Sequence, residues 1–183
     1  GGLVGNLIGS TTIKKSSSDT EIETTGKIKT TDSIDPVSGT GGLVGYVGGT
    51  EALEITESFS LREITSNSNA GGLVGATGLS TNGKLTVEKS FSAVKIEVSG
   101  NPEVSGNPEV SFGGLIGLGN ATFTGTEISI KNSYATGSIS KGSDVDADIG
   151  GFIGKINTGT TPTGTGTIDI QGSWSLGDVG TTT

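Results

Sequence analysis

The sequence lacks three residue types that carry much of protein chemistry: its 183 residues include no cysteine, no histidine and no methionine. Without cysteine there is neither a disulfide bridge nor a thiolate metal site. Without histidine the usual general base and the commonest transition-metal ligand are missing. Carboxylates are therefore the only acid and base groups on which an active site could be built.

Large apolar side chains are also scarce. Hydrophobic residues make up 30% of the chain and aromatic residues 4%, whereas glycine occurs 34 times. This composition supplies too few large side chains for a thick core, so we expect one domain with a thin core of Leu, Ile and Val. No run approaches the ~18 consecutive apolar residues of a membrane-spanning helix. Because the chain has no Met at position 1 and begins inside a repeat, we interpret it as a segment of a longer chain.

Positive charge is the third deficit. The formal net charge is -8 and the sequence pI is about 4.4. Affinity for nucleic acids comes from Lys and Arg side chains that neutralise phosphates. An acidic chain of this kind is therefore not expected to bind nucleic acid.

What the sequence does contain is repetition. Five near-copies of the pentapeptide Gly-Gly-Leu-Val-Gly begin at residues 1, 41, 71, 113 and 150. Such periods are typical of repeat architectures, in which each unit buries its apolar face against its neighbours. We predict one repeat domain over 1–183, made of units 1–40, 41–70, 71–112, 113–149 and 150–183. The pentapeptide residues to which we assign a structural role are Gly42, Leu43, Gly45, Gly72, Leu73, Gly75, Gly114, Leu115 and Gly117.

A second pattern follows the pentapeptide in the last four units. Two apolar residues separated by a polar one precede a serine and an aromatic residue, and this alternation indicates a half-buried strand. The first apolar positions are Leu53, Leu85, Ile128 and Ile168, the second are Ile55, Val87, Ile130 and Ile170, and the aromatic positions are Phe59, Phe91, Tyr134 and Trp174. Frequent glycine and β-branched residues disfavour helix. Residues 1–40 lack the serine and aromatic pair, so we expect a degenerate coil or a cap there.

These patterns predict an all-β chain, and specifically a β-solenoid of about five irregular coils, similar to a parallel β-helix. Matching residues would then lie in columns along one axis, with the aromatic column filling a corner of the coil. A β-sandwich with glycine-rich turns is the alternative, because short strands at regular spacing also occur there. Matching residues favour the solenoid, since equivalent positions of a sandwich face different neighbours.

The pentapeptide and the segment Ile128 to Gly137, Ile-Ser-Ile-Lys-Asn-Ser-Tyr-Ala-Thr-Gly, resemble the GLUG-motif repeat region of large secreted bacterial and archaeal surface proteins. The resemblance covers nearly all of the chain from Gly41 onward. It implies an extracellular or cell-surface location and a structural or adhesive module. It supplies no catalytic residues.

Three alternating carboxylates, Asp144, Asp146 and Asp148, are the only candidate metal cluster. Calcium binds 6 to 8 oxygen ligands, but the glycine and the distal glutamate of an EF-hand loop are absent. We interpret the cluster chiefly as solvated charge that protects a sheet edge, with calcium as the weaker alternative. No catalytic residue, cofactor or metal enters our main hypothesis.

Our main functional hypothesis is a non-enzymatic extracellular module that serves as a rigid spacer or forms filaments. Its expected partners are further copies, joined end to end, or other surface proteins. A carbohydrate-binding module is the first alternative, because exposed aromatic side chains can contact glycans. An ice-binding solenoid is the second, on account of the threonine-rich stretches 122–126 and 158–167. An enzyme would need two carboxylates held in a cleft.

Overall fold

The structure is a computed structural model that describes residues 1–19, 22–24, 39–50, 52–99, 110–142, 146–158 and 166–182. Within these ranges the regular elements are all β-strands, which confirms the all-β prediction. In chain order they are β1 (Val4–Ile8), β2 (Thr11–Lys14), β3 (Ser17–Ser18), β4 (Ile22–Thr24), β5 (Gly39–Gly41), β6 (Val44–Gly49), β7 (Ala52–Thr56), β8 (Phe59–Ser60), β9 (Glu63–Ser66), β10 (Asn69–Gly71), β11 (Val74–Leu79), β12 (Lys84–Glu88), β13 (Phe91–Ser92), β14 (Lys95–Val98), β15 (Val110–Gly113), β16 (Ile116–Asn120), β17 (Glu127–Lys131), β18 (Tyr134–Ala135), β19 (Ile139–Gly142), β20 (Ala147–Gly150), β21 (Ile153–Asn157), β22 (Thr167–Gln171), β23 (Trp174–Ser175) and β24 (Val179–Thr182).

These strands form five sheets, in which each strand pairs with the strand five places further along the chain. Sheet A contains β1, β6, β11, β16 and β21; sheet B contains β2, β7, β12, β17 and β22; sheet C contains β3, β8, β13, β18 and β23; sheet D contains β4, β9, β14, β19 and β24; sheet E contains β5, β10, β15 and β20. The pairings between described strands are parallel throughout. Because β-sandwiches pair their strands antiparallel, the sandwich alternative does not fit these pairings.

The register of the sheets places matching residues opposite one another. In sheet B, Ile13 lies opposite Ile55, which lies opposite Val87, and the same column continues through Ile130 to Ile170. The four residues predicted to share surroundings therefore occupy one column. Unit 1–40 also contributes strands to these sheets, although it lacks the serine and aromatic pair.

Within the described ranges, the buried apolar side chains form two clusters. The larger one lies between sheets A and B and includes Leu43, Leu73 and Leu115, which are fully buried. The smaller one lies between sheets D and E and contains Phe112 and Ile96. Apart from Phe112, aliphatic side chains of modest size fill both clusters, as the composition led us to expect.

Glycine is required where strands of sheet E lie against strands of sheet A. A Cβ on Gly75, in sheet A, would overlap the backbone nitrogen of Thr40, in sheet E. A Cβ on Gly42 would overlap the carbonyl oxygen of Gly72 and crowd the hydroxyl of Ser60. The repeated glycines therefore allow two sheets to approach at backbone contact distance. Gly5, which occupies the position of Gly75 in the first pentapeptide, has open space instead.

Candidate functional site

Each unit passes from sheet B to sheet C through one residue in the left-handed region. The φ angles are 51° at Lys15, 49° at Glu57, 49° at Lys89, 51° at Asn132 and 57° at Gly172. For a residue with a side chain this conformation costs roughly 1–2 kcal/mol. The corner must therefore be stabilised by the contacts that surround it.

A serine follows every corner residue, and its hydrogen bonds supply that stabilisation. We call Ser16, Ser58, Ser90, Ser133 and Ser173 the serine ladder. The backbone N–H of each of the first four serines donates to the Oγ of the next one along the ladder, at 3.1, 3.1, 3.2 and 3.2 Å. Each Oγ in turn donates to the carbonyl oxygen two residues earlier, at 2.8 to 3.0 Å. One serine hydroxyl thus accepts a hydrogen bond from a backbone N–H of the neighbouring unit and donates one to a backbone carbonyl of its own unit.

The serine ladder was not among the residues we assigned a structural role from the sequence. The signal for it was present, because a serine precedes the aromatic residue in four units and another occupies position 16. These hydrogen bonds join residues more than thirty positions apart in the sequence, and they leave no pattern of apolar residues from which they could be predicted. The three-dimensional arrangement is needed to show that these serines contact each other.

The aromatic residue after each serine belongs to a continuous column of rings. The centroids of Phe59 and Phe91 are 5.0 Å apart with an interplanar angle of 6°, and those of Phe91 and Tyr134 are 5.0 Å apart at 3°. Tyr134 and Trp174 follow at 4.6 Å and 6°. Ser17 takes the equivalent place in the first unit, opposite Phe59. We call the four rings the aromatic column.

The aromatic column lies at the surface. Phe59, Phe91 and Tyr134 are half-buried, and Trp174 is 46% exposed. Because consecutive rings stack face to face, the faces of the inner rings contact neighbouring rings and their edges face solvent. Trp174 is the last ring of the described column, so one of its faces is not covered by a stacked partner. Stacking of a flat or sugar-like ligand on a ring face is therefore limited to the ends of the column.

Ion pairs between lysines and carboxylates lie on the outer surface of the sheets. The Lys95 ammonium lies 2.9 Å from the Glu63 carboxylate and 3.5 Å from that of Glu97. The hydrogen bond from Lys95 lowers the pKa of Glu63 below its ordinary value. The same hydrogen bond raises the pKa of Lys95. Both groups are solvent-exposed, so this arrangement is typical of a surface ion pair.

The predicted structural residues occupy different environments along the stack. The second-position column is fully buried at Ile55, Val87 and Ile130, but Ile170 is 44% exposed because it belongs to the outermost described strand of sheet B. The pentapeptide leucines are buried in the larger core cluster. The predicted glycines are those at which sheets A and E approach each other or at which the chain turns between them.

The proposed acidic cluster is described only in part. Asp144 lies outside the described residues, Asp146 is exposed, and the Asp148 carboxylate lies 2.9 Å from the Lys155 ammonium. Over the part of the chain that the structure describes, no group of three acidic side chains is close enough to hold a metal ion. An ion pair with lysine is what a carboxylate that carries surface charge would form.

The threonine-rich stretches do not give a regular outer array in the ranges that are described. Thr126 is buried and donates to the carbonyl oxygen of Phe123 at 2.6 Å. Most of the second stretch, residues 159–165, lies outside the described residues. On the outer face of sheet B the threonine positions alternate with other residue types: Thr12, Glu54, Thr86, Ser129 and Asp169 form one register.

No family model, no curated protein and no solved structure matches this chain. No described segment forms a helix with the length and apolar character needed to cross a membrane.

Proposed function

We propose that the chain is a β-solenoid and acts as a non-enzymatic scaffold, a rigid spacer within an extracellular or cell-surface protein. The observation that carries this proposal is the repeated register of the five parallel sheets. The chain visits sheets A, B, C, D and E in this order four times and then sheets A to D once more, and each pass pairs with the one before it. A continuous coil is the simplest chain path with that order.

The serine ladder, the aromatic column and the buried aliphatic columns support a mechanical function. All three run across the units, so they tie each unit to its neighbours through hydrogen bonds and contacts. In repeat proteins of this kind the interfaces between units supply much of the stability. Stretching the chain must therefore break these interfaces. The GLUG-motif resemblance and the surface location remain hypotheses that fit such a role.

Single-molecule force spectroscopy, with the chain held at its two ends, tests the spacer proposal. We expect resistance to extension, followed by release of roughly 100–150 Å for each unit, at about 3.5 Å per residue. Ile55→Ala should lower the unfolding force, because this side chain is fully buried in its column. Ile170→Ala, in the same column but half-exposed, is the matched control and should have a smaller effect. Smooth extension at the low force typical of an unfolded chain would contradict the proposal.

Carbohydrate binding is the second candidate function, and the exposed indole of Trp174 is the observation in its favour. If glycans are recognised, the free face of that ring is the contact. A glycan array should then give signals that Trp174→Ala abolishes and that Phe91→Leu, at a ring with two stacked neighbours, leaves in place. An array without signal, or signals that persist in Trp174→Ala, would count against this candidate.

A further inference from the structure

The connection from sheet A to sheet B lengthens through the three inner units. It has two residues in unit 41–70, four in unit 71–112 and six in unit 113–149, whereas the connections from B to C and from E to A keep two residues in all three. The connections from D to E also vary, but they lie mostly outside the described residues. In repeat proteins, insertions collect in loops on one face, which is often the binding face. We call residues 80–83 and 121–126 the A/B corner.

Backbone hydrogen bonds hold the two segments of the A/B corner against each other. The N–H of Asn82 donates to the carbonyl of Thr124 at 3.0 Å. The hydroxyl and the N–H of Thr126 both donate to the carbonyl of Phe123, at 2.6 and 3.2 Å. The exposed side chains of the corner are thus held in one arrangement before a ligand arrives, which lowers the entropic cost of binding.

The A/B corner has a further unit on each side. Towards the start of the chain, the N–H of Ser80 donates to the carbonyl of Gly49 at 2.9 Å. Towards the end of the chain, the N–H of Ala121 donates to the carbonyl of Asn157 at 2.8 Å, and the N–H of Thr167 donates to that of Thr126 at 2.9 Å. The side chains of this corner are therefore exposed on the side of the stack, with neighbouring units already in place.

The side chains exposed at the corner are one aromatic ring and several small polar groups. Phe123 is 45% exposed, and Thr81, Asn82 and Thr124 are exposed as well. Asn82 has a φ of 64°, and its Oδ1 occupies the space that a Cβ on Gly125 would need. The Asn82 amide therefore lies against the loop that carries Phe123, two residues along the chain from that ring.

The A/B corner carries no charge. Residues 80–83 and 121–126 include no Asp, Glu, Lys or Arg, although the chain as a whole has a net charge of -8. The first charged residues beside the corner, Lys84 and Glu127, pair with each other at 3.0 Å. An ionic ligand would meet no counter-charge here. A neutral sugar fits better, because an aromatic ring contacts its C–H groups while amide and hydroxyl groups bind its hydroxyls.

The size of the apolar surface also favours a small ligand over a protein. A stable protein interface buries about 800 Å² on each partner and has an apolar centre. One exposed ring among threonine and asparagine side chains does not supply such a centre. It matches the size of one or two sugar rings.

We propose that the A/B corner binds a neutral glycan, with Phe123 in contact with the sugar ring and Asn82 hydrogen-bonded to its hydroxyl groups. The inference rests on the proposed scaffold, because the stacking of units is what brings the two side chains together. It places the glycan on the side of the stack, away from Trp174.

A glycan array that carries neutral, sialylated and sulfated glycans tests the inference. We expect signals on neutral glycans that persist in about 0.5 M NaCl, because no ion pair holds the ligand. Phe123→Ala should weaken binding at least about tenfold, as expected for a residue at the centre of a small site. Phe123→Tyr, which keeps the ring, should bind. Phe91→Leu, outside the A/B corner, is the control and should leave the signals in place.

Asn82→Gly tests the amide without disturbing the turn, since glycine readily adopts a φ of 64°. We expect weaker binding at an unchanged Tm, and unchanged binding would contradict the role assigned to the amide. Circular dichroism of each variant should show the strand content of the original chain.

Four results would overturn the inference. They are an array without signals on neutral glycans, signals confined to sialylated or sulfated glycans, signals that Phe123→Ala retains while Trp174→Ala loses them, and equal binding to a glycoprotein before and after its glycans are removed. The last result would mean that the corner contacts protein.

Force spectroscopy separates failure of the glycan site from failure of the scaffold. Phe123→Ala should unfold at the same force as the original chain, because the ring is exposed and lies outside both core clusters. A chain that resists extension but gives no array signal keeps the scaffold function and contradicts the glycan site alone.

Discussion

Removing one hydroxyl from the middle of the serine ladder should destabilise the protein far more than removing one from its end. In Ser90→Ala, the N–H of Ser58 loses the Oγ to which it donates at 3.1 Å, and the carbonyl of Glu88 loses a donor at 2.8 Å. Ser58 is 1% exposed, so water cannot readily replace the missing acceptor. An unsatisfied buried donor costs about 1–3 kcal/mol.

Ser16→Ala is the matched control, because the hydrogen bond that the Oγ of Ser16 makes within the described part of the chain, to the carbonyl of Lys14, is exposed to solvent. Its loss should change the free energy of unfolding by less than about 0.5 kcal/mol, as for most surface substitutions. Urea unfolding followed by circular dichroism measures both variants. In a thermal scan, Ser90→Ala should lower the Tm by roughly 2–12 °C, at about 2–4 °C per kcal/mol for a chain of this size.

Equal losses of stability in the two serine variants would contradict this prediction. That result would mean that the hydroxyl of Ser90 does not connect two units. A double-mutant cycle between Ser58 and Ser90 gives a further check, since residues in one hydrogen-bond network should couple by about 0.5–3 kcal/mol.

Three other predictions probe the remaining features. In urea unfolding, Gly75→Ala should lower the free energy of unfolding by at least about 1–3 kcal/mol, because its Cβ would overlap the backbone of sheet E. Gly5→Ala, at the same pentapeptide position but in open space, should be nearly neutral, and equal effects of the two substitutions would contradict the close approach. Phe91→Ala should lower the free energy of unfolding by less than the roughly 3–5 kcal/mol that a fully buried phenylalanine costs, because this ring is half-buried. Near-ultraviolet circular dichroism should lose the signal of the stacked rings. In an NMR titration, Lys95→Gln should raise the pKa of Glu63, and an unchanged pKa would exclude the ion pair as the cause of the lowered value. Because the pKa of Glu63 is lowered in the folded chain, this carboxylate stabilises the fold above its unfolded pKa, and that stabilisation is lost as the pH falls through its folded pKa.

The sequence was sufficient to predict the strand class and the matching columns. Ile55, Val87 and Ile130 share an alternating context in three units, and the structure places them opposite one another. The physical reason is that in-register parallel sheets put equivalent residues in identical surroundings, so the same side chain fits each time. Periodicity of apolar residues therefore carries most of the information about these sheets.

The outer features were harder to anticipate. We favoured a packed corner for the aromatic residues, and the structure gives stacked rings that remain half-buried, with Trp174 exposed. A column at an outer corner of a β-coil and one at an inner corner have the same sequence spacing. The left-handed residue before each serine turns the chain, and its side-chain identity varies among Lys, Glu, Asn and Gly. Without a shared residue type, the position of that turn cannot be predicted from composition.

The first unit shows a different limit. Its strand β2 supplies Ile13 to the buried column, although the surrounding residues contain no aromatic. The expectation of a degenerate first coil depends on the missing aromatic residue. The corner residue Lys15 and the following Ser16 retain the backbone part of the signature, which is the part that the hydrogen bonds require.

Equivalent residues are expected to lie over one another along a single axis, and one distance tests this arrangement most directly. Thr12 and Asp169 belong to the first and last strands of sheet B and are linked by four in-register steps. With strands about 4.8 Å apart, their Cα atoms should be separated by about 19 Å. Double electron–electron resonance between spin labels on Thr12→Cys/Asp169→Cys, diluted with unlabelled chain, should give one narrow distribution consistent with that separation. A broad distribution, or a mean that does not correspond to four strand spacings once the label is accounted for, would contradict the account.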